Sequence, residues 1–291
     1  MASERAAYGA VFYTFVRNSL IRDLSYRSNF FIECASSMSW VLMNLGFYLL
    51  IFSFTTEIGD NTGWRKFEFF VFLSTTLFIN SLMQTFFMPN AQEFSELIRT
   101  GRLDFALLKP IDTQFLISFQ KVNWPSMSNF FFGVVLLSIS LWNLTQRPEN
   151  PLVVTPYMMI AYPLFILCGV GILYSLMIIL AATSIWLGRN QSLYDFWFYI
   201  TSFSRYPMEI YEGGIGGTLK FIFTFMIPIL VVVNVPARIM AKPLGVDDGG
   251  QSMMYNSMLL AIFAVIATAG SILGSRWVFK KALLSYRSAS S

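Results

Sequence analysis

PYMMIAYPLFILCGVGILYSLMIILAATSIWL, residues 156–187, is a long apolar stretch without any Asp, Glu, Lys or Arg. A helix needs about 20 apolar residues to cross the hydrocarbon core of a bilayer, and this stretch exceeds that length. Four other stretches are similarly apolar, at residues 30–54, 67–89, 124–145 and 252–279. The sequence therefore predicts an all-α integral membrane protein with at least five spanning helices.

The composition supports the same fold class. Of the 291 residues, 55% are hydrophobic and only 12% are charged, whereas soluble domains carry about 25% charged residues. No linker rich in Ser, Pro or Gly separates the apolar stretches, so residues 1–291 are predicted to form a single polytopic domain. Cys34 and Cys168 lie far apart in apolar stretches and the chain has no His, so neither a disulfide framework nor a metal site is predicted.

A sixth spanning segment is needed to return the C-terminus to the side of the N-terminus, and two segments compete for this role. Residues 218–236 are the more apolar, because Asp195 within residues 191–206 would cost about 2.5 to 3.5 kcal/mol near the middle of the bilayer. Pro228 and Pro236, however, are expected to break residues 218–236. A cluster of glycines just before that segment suits a sharp reversal followed by short helices: Gly213, Gly214, Gly216 and Gly217. One segment is expected to cross and the other to dip into the membrane.

Basic residues predict the orientation, because cytoplasmic loops retain Lys and Arg. Most of the 20 Lys and Arg residues lie before the first span, between the second and third, and after the last. Both termini, including the tail at residues 280–291, are therefore predicted to be cytoplasmic. In the N-terminal segment, residues 1–29, apolar residues recur with the spacing of one helical face: Tyr8, Val11, Phe12, Phe15 and Val16. This spacing favours an interfacial helix, and a positively charged anchor for the first span is the alternative.

A polar loop interrupts the apolar pattern at residues 90–121. Asn90 is expected to cap a short helix with Glu93 as its capping-box partner, and Gly101 is expected to end it in a left-handed conformation. The apolar residues of this helix share one face: Phe94, Leu97 and Ile98. A helix of about ten residues is marginal in isolation, so something must pack against it.

After this helix, Asp112 is expected to cap a second helix that runs through Phe115 and Phe119. The unit therefore presents both charges and apolar residues. Two interpretations of it remain open from the residues alone. It is either a docking surface for another protein or a hairpin that covers its own membrane domain.

The same loop carries a resemblance to a known family. Its run of residues 99–115 resembles the signature R-x-G-x-L-D-x-x-L-L-K-P-x-x-x-Q-F of bacterial ATP-binding-cassette (ABC) permeases in the type-2 exporter superfamily. The matching residues are Arg99, Gly101, Leu103, Asp104, Leu107, Leu108, Lys109, Pro110, Gln114 and Phe115. The segments RYPMEIY (205–211) and IPILVVVNVPARIM (227–240), and the ending KKALLSYRSASS, are similar to the same family, so the resemblance covers most of the chain.

The resemblance implies a six-span permease in the bacterial cytoplasmic (inner) membrane. It would work with a second permease, identical or homologous, and with two copies of an ABC ATPase. ATP and Mg would be bound by the ATPase, and no cofactor by this chain. The helix before the signature would be the coupling helix, with these coupling residues: Glu93, Phe94, Glu96, Leu97, Arg99, Asp104, Lys109 and Pro110.

The resemblance also bears on the sixth span. It implies an outer re-entrant region at residues 207–250, in which residues 214–236 form a pair of short helices. Residues 191–206 would then be the fifth span. The re-entrant or gate residues would be Gly213, Gly214, Gly216, Gly217, Pro228 and Pro236.

The sequence lacks the motifs of an enzyme. It contains no phosphate-binding G-x-x-x-x-G-K-[ST] loop, so ATP hydrolysis must come from a separate protein. The protein is expected to contact membrane lipid and not nucleic acid. The scarcity of charges within the spans favours a hydrophobic or amphipathic cargo. The alternatives are an ion-gradient-driven transporter, which would require buried ionisable residues, and a non-transporting scaffold.

Overall fold

The computed structural model describes residues 7–59, 62–187, 191–211, 213–241 and 251–286, and only the backbone of 191–194 and 251–257. The structure is 84% helical, and the only extended pairing among these residues is an isolated bridge between Glu57 and Arg65. Parts of three predicted segments lie outside the described residues: 1–6 of the N-terminal segment, 212 and 242–250 of the region 207–250, and 287–291 of the tail.

The described helices follow one another with short connections. In chain order they are α1 Tyr8–Ser25, α2 Arg27–Phe54, α3 Lys66–Leu82, α4 Met88–Arg99, α5 Arg102–Leu107, α6 Thr113–Phe119, α7 Ser128–Thr145, α8 Pro156–Leu187, α9 Gln191–Ser202, α10 Gly214–Phe221, α11 Ile229–Ala241 and α12 Gln251–Leu284.

Among the described residues, five helical stretches are long and apolar enough to cross a membrane, which confirms the all-α integral membrane class. They are Arg27–Phe54, Lys66–Arg99, Trp124–Thr145, Pro156–Leu187 and Met258–Leu284. Gly214–Met226 and Ile229–Ala241 pass the same test only together, and they are bent by 87° at their junction. By length and composition this bent pair is either a broken sixth span or a re-entrant loop.

The second span extends beyond the predicted residues 67–89. A π-helical turn at Met83–Phe87 joins α3 to α4, so Lys66–Arg99 forms one helical stretch of 34 residues. The short helix predicted at residues 90–101 is present as α4, Met88–Arg99, but it begins before Asn90 and continues the second span. That segment is the end of the span, and the π turn changes which face the helix presents after it.

The core forms around α8, which carries no charged residue and therefore tolerates burial on all sides. Of its most apolar window, 56% is buried inside the protein, compared with 11% for α2. Its side chains pack with those of α3 and α11 in the main apolar cluster, which includes Phe69, Phe72, Ile79, Leu173, Met177 and Val232. The outer helices α2, α7 and α12 leave most of their surface for lipid or a partner.

Helix α11 corrects one prediction. Pro236 does not break its segment, because it lies inside α11, whereas Pro228 stands at the bend before that helix. A proline inside a helix cannot donate to the carbonyl four residues earlier, here that of Val232. Almost every residue of α11 is buried, so tertiary packing holds the helix despite this lost hydrogen bond.

Two contacts define the ends of the bundle. At one end, the loop side, Ser95 of α4 and Ser184 near the end of α8 are hydrogen-bonded with a distance of 3.0 Å between their Oγ atoms. At the other end, the far side, the hydroxyl of Tyr206 contacts that of Tyr48 near the end of α2. Ser184 and Tyr206 therefore lie at opposite ends of the bundle, with α9, Gln191–Ser202, between them in the sequence.

Candidate docking surface at the loop side

Asn90 organises the loop by tertiary hydrogen bonds. The predicted capping role is wrong, because α4 begins two residues earlier and Asn90 lies inside it. Its side-chain amide donates to the carbonyl oxygens of Phe86, Ser118 and Lys121, and its oxygen accepts from the Lys121 backbone N–H at 2.8 Å. Asn90 is only 4% exposed. It therefore ties both ends of the 90–121 loop together.

Three further local features fix the path of the loop. Gly101 has a φ of 68°, which confirms the predicted left-handed end of α4. The carboxylate of Asp112 accepts from the backbone N–H of Phe115 at 3.1 Å, which confirms its predicted capping of α6. Glu93 forms an ion pair with Lys121, whose Nζ lies 2.7 Å from Oε2. Glu93 thus braces the loop internally.

The apolar face of α4 is covered by the protein itself. Phe94 is fully buried, and its ring centroid lies 5.8 Å from that of Phe279 in α12. Leu97 is partly buried against the same cluster, which also contains Leu103 and Leu116. Of the two interpretations of the loop, the hairpin that covers its own membrane domain holds for this face. Phe94 therefore has no surface to offer a partner.

Helix α1 packs on the loop with the face predicted from its spacing. The ring of Tyr8 meets Phe115 edge-on at 5.0 Å between centroids, and that of Phe12 meets Phe119 at 5.4 Å. Farther along, the indole N–H of Trp124 donates to the Val16 carbonyl. The apolar stripe of α1 thus packs against the protein's own loop.

Helix α12 supports the loop from the other side. The guanidinium of Arg276 donates to the Asp112 carboxylate at 2.9 Å, so Asp112 both caps α6 and fastens it to α12. Tyr286, just after α12, lies beside Asp104. Burial and the neighbouring carboxylate raise the pKa of the Tyr286 hydroxyl. The N-terminal and C-terminal helices therefore both hold the loop in place.

The remaining surface of the loop is exposed and combines apolar with basic side chains. In α5, Leu103 and Ala106 face inward, whereas Phe105 is 69% exposed and Leu108, just after the helix, is 81% exposed. A period of 3.6 residues requires this alternation once Leu103 is buried. We call this exposed region the loop tip: Arg99, Arg102, Phe105, Leu107, Leu108, Lys109 and Pro110, all exposed.

The structure separates the predicted coupling residues into three groups. Arg99, Lys109 and Pro110 belong to the loop tip. Glu96 is half-buried and bonds to Arg99 with 2.9 Å between Oε2 and Nε, so it borders the loop tip. The rest are turned to the protein's own loop and helices: Glu93, Phe94, Leu97 and Asp104.

Sequence reasoning missed Phe105 and Leu108 as surface residues. The signal that could have identified them is the helical period of α5 read from Leu103, which leaves Phe105 and Leu108 on the opposite face.

The predicted gate residues lie on the far side, in and before the bent pair. Gly213 and Gly214 have φ values of 80° and 42°, which explains why glycine occupies the start of α10. A β-carbon on Gly216 would lie 3.3 Å from the carbonyl carbon of Tyr211, whereas one on Gly217 would meet nothing within 4 Å. Pro228 stands at the bend and Pro236 inside α11. None of these residues is part of the loop tip.

Comparison with known proteins gives a family. The profile of the family described as ABC-2 family transporter protein matches residues 38–290. No curated protein and no solved structure matches the chain. Among the residues that the structure describes, no three His, Cys, Asp or Glu side chains are grouped so as to hold a metal ion.

Proposed function

The chain belongs to the ABC-2 family of transporter proteins, and from that premise we propose that it is the permease subunit of an ATP-driven exporter powered by a separate ATPase. The family supports a multi-pass membrane protein with a permease role. In our proposal, two ATPase copies bind ATP and Mg²⁺ and dock on the loop tips of two permeases. The permease pair then forms the path for cargo.

One observation carries this proposal: the loop tip exposes large apolar side chains among basic ones. Phe105 and Leu108 are 69% and 81% exposed, and Arg102 and Lys109 flank them in sequence. Isolated exposed apolar residues are ordinary, but a cluster rimmed by charges is typical of a protein interface. The two apolar side chains would act as anchors in a groove of the ATPase.

The support beneath the loop tip suits the transmission of force. The Asn90 hydrogen bonds, the ion pair of Glu93 with Lys121, and the ion pair of Asp112 with Arg276 connect it to the second span and to the last. A partner that displaces the loop tip would therefore displace helices and not merely a surface loop. An ATPase that drives the permease by contact alone requires a loop tip that is rigidly connected to the spanning helices.

We further propose that the bent pair α10 and α11 is re-entrant. The backbone N–H of Met208 donates to the Asn234 side chain at 2.8 Å, and Glu209 pairs with Arg238 at 2.6 Å between Oε1 and Nη2. Residues just before α10 thus lie beside the second half of α11. Two ends that meet in this way belong to one side of the membrane, which favours residues 191–206 as the segment that crosses.

The orientation follows from the basic residues. Arg99, Arg102, Lys109 and Lys121 all lie at the loop side, together with α1 and the end of α12. Because cytoplasmic loops retain Lys and Arg, we propose that the loop side and both termini are cytoplasmic, in the inner membrane of a bacterium.

Helix α2 supports the presence of a second permease. Only 11% of its most apolar window is buried, yet Glu33 and Ser36 on it are exposed and Asn44 is partly exposed. These residues fall near one helical face, and polar side chains within spans usually meet another helix and not lipid. A second permease, identical or homologous, would supply that helix.

The alternatives fit the structure less well. Two carboxylates within the described membrane domain, Glu68 and Glu209, are ion-paired with Arg147 and Arg238. Paired groups are poor proton or ion carriers, which weakens the ion-gradient-driven transporter. A scaffold would not need a bent helix pair with glycines at its start. A cargo that is hydrophobic or amphipathic agrees with the mostly uncharged spans.

The experiment is purification of this protein from its native membranes in mild detergent, followed by mass spectrometry. We expect a Walker-motif ATPase in stoichiometric amount. Leu108→Glu should abolish its recovery, because the apolar anchor is replaced by a charge. Leu284→Glu is the matched control, since Leu284 is 88% exposed at the same side but outside the loop tip. An unaccompanied permease, or equal loss with both variants, would contradict the proposal.

A further inference from the structure

A cavity of about 700 Å³ opens on the far side between α10, α11 and α12. Its volume is that of a small-molecule site. Most of its lining is apolar and comes from α10, the π turn after it, and α12: Phe221, Phe225, Leu259, Leu260 and Phe263. This far-side cavity is separate from the loop tip, which lies at the other end of the bundle.

Besides Lys220, which is already partnered, the polar part of the lining is an ion pair and a threonine. Arg238 of α11 donates from Nη2 to Oε1 of Glu209 at 2.6 Å. Their side chains are only 17% and 11% exposed. Thr224 is 2% exposed and lines the same cavity.

Each of these three side chains keeps one buried atom without a partner. Within the described part of the chain, no group hydrogen-bonds Glu209 Oε2, Arg238 Nε or Thr224 Oγ1. A buried polar atom left unpaired costs about 1–3 kcal/mol, and more when it is charged. Three such atoms around one cavity indicate that a polar ligand group belongs between them.

The chemistry of the lining selects the ligand. A purely polar molecule would leave the phenylalanine and leucine walls in contact with water, and a purely apolar one would leave the three polar atoms unpaired. An anionic head group alone would leave Glu209 Oε2 without a donor, and a cationic one alone would lie against Arg238 and Lys220. Only an amphiphile whose head group carries both charges pairs the three polar atoms and also covers the apolar side chains of the lining.

We propose that the far-side cavity binds a zwitterionic amphiphile of the phosphoethanolamine type. Arg238 Nε–H and the Thr224 hydroxyl donate to its phosphate oxygens, and its ammonium group donates to Glu209 Oε2. The acyl chain lies along Phe221, Phe225 and Leu260. This inference goes beyond the proposed function, and it stands or falls independently of ATPase docking.

The test is ligand binding to the purified, detergent-solubilised full chain, measured by titration calorimetry. The probe is lysophosphatidylethanolamine. Lysophosphatidylglycerol of the same acyl length lacks the ammonium group, and free phosphoethanolamine lacks the chain. We expect the first to bind at least about tenfold more tightly than the second, because one charge-assisted hydrogen bond is missing. Free phosphoethanolamine should show no measurable binding.

Two variants locate the site. Thr224→Val keeps the shape and removes the hydroxyl, and Glu209→Gln keeps the volume and removes the charge; each should weaken lysophosphatidylethanolamine binding by about tenfold. Thr201→Val is the matched control, because Thr201 is also buried but its hydroxyl donates within its own helix, to the carbonyls of Trp197 and Phe198. Size-exclusion profiles and thermal transitions establish that each variant is folded.

Several results would overturn the inference. They are no binding of lysophosphatidylethanolamine, equal binding of both lysolipids, or equal weakening by Thr224→Val and Thr201→Val. If Glu209→Gln does not fold because Arg238 loses its partner, the comparison of the two threonine variants still decides the outcome. ATPase recovery with the permease is unaffected by any of these results.

Discussion

Gly169 of α8 faces the carbonyl oxygen of Val232 in α11 so closely that a β-carbon on residue 169 would lie 2.7 Å from that oxygen. The same carbonyl cannot accept a helical hydrogen bond from residue 236, which is proline. The glycine in one helix and the proline in the other therefore act at the same point. Together they permit the close approach of the bent pair to α8.

Replacement of Gly169 by Ala is expected to destabilise the protein. The new methyl group must push α11 away from α8, and overpacking of this kind costs about 1–3 kcal/mol. The measurement is the thermal unfolding transition in detergent, which should fall. Gly270→Ala is the control, because a β-carbon there would meet nothing within 4 Å. A transition unchanged in both variants would show that α11 shifts at no cost.

Replacement of Asn90 by Ala is expected to loosen the whole 90–121 loop. The backbone N–H of Lys121 and the carbonyl groups of Phe86, Ser118 and Lys121 lose this partner, and an unsatisfied buried group costs about 1–3 kcal/mol. Limited proteolysis at the loop tip should become faster. Asn143→Ala is the matched control, since Asn143 is partly exposed and donates only to Ile139 of its own helix. Identical cleavage rates for both variants would count against the role of Asn90.

Reversal of the charge at Arg99 is expected to weaken ATPase docking without affecting membrane insertion. An exposed ion pair such as that of Arg99 with Glu96 contributes little to stability, so folding should be unchanged. The double variant Glu96→Arg, Arg99→Glu keeps an ion pair but moves the cation from the loop tip. We expect both variants to lower the ATP hydrolysis that is coupled to transport. Arg65→Glu, at an exposed far-side residue, is the control. If the ATP hydrolysis coupled to transport in these variants equals that of the control, Arg99 is not part of the interface.

Labelling of single introduced cysteines should decide the path of the bent pair. In a background without Cys34 and Cys168, the variant Ile215→Cys should react with an impermeant maleimide in the same way as Val153→Cys. Both positions are exposed, at 83% and 70%, and a re-entrant pair places both on the far side. The variant Leu108→Cys marks the loop side. If Ile215→Cys is labelled under the same conditions as Leu108→Cys, the pair is a broken span.

The sequence predicts best where a few neighbours decide the structure. The five long apolar stretches need only the bilayer to become helices. Gly101 and Asp112 act within one turn of their own backbone, and both do what their positions predict. These parts of the fold and of the candidate site follow from local sequence alone.

The predictions fail where residues far away in the sequence determine the local structure. Asn90 has the residue type and spacing of a helix cap, but the backbone of Lys121, far along the chain, uses its side chain instead. Pro236 would end an isolated helix, but α11 is buried between α8 and α3 and keeps its form. The burial of Phe94 depends on Phe279 near the end of the chain. Local propensity is a weak guide in each case because tertiary packing outweighs it.

Helix α12 connects the loop at one end of the bundle to the far-side cavity at the other. Near its end it carries Phe279 and Arg276 beneath the loop, and nearer its start Leu260 and Phe263 form a wall of the far-side cavity. At about 1.5 Å per residue, Phe263 and Phe279 lie roughly 24 Å apart along the helix. Between these two ends, Thr268 donates to the Cys168 carbonyl of α8 at 3.3 Å, so the middle of the helix is fastened to the core. The support of the loop and a wall of the far-side cavity are thus two parts of one continuous helix.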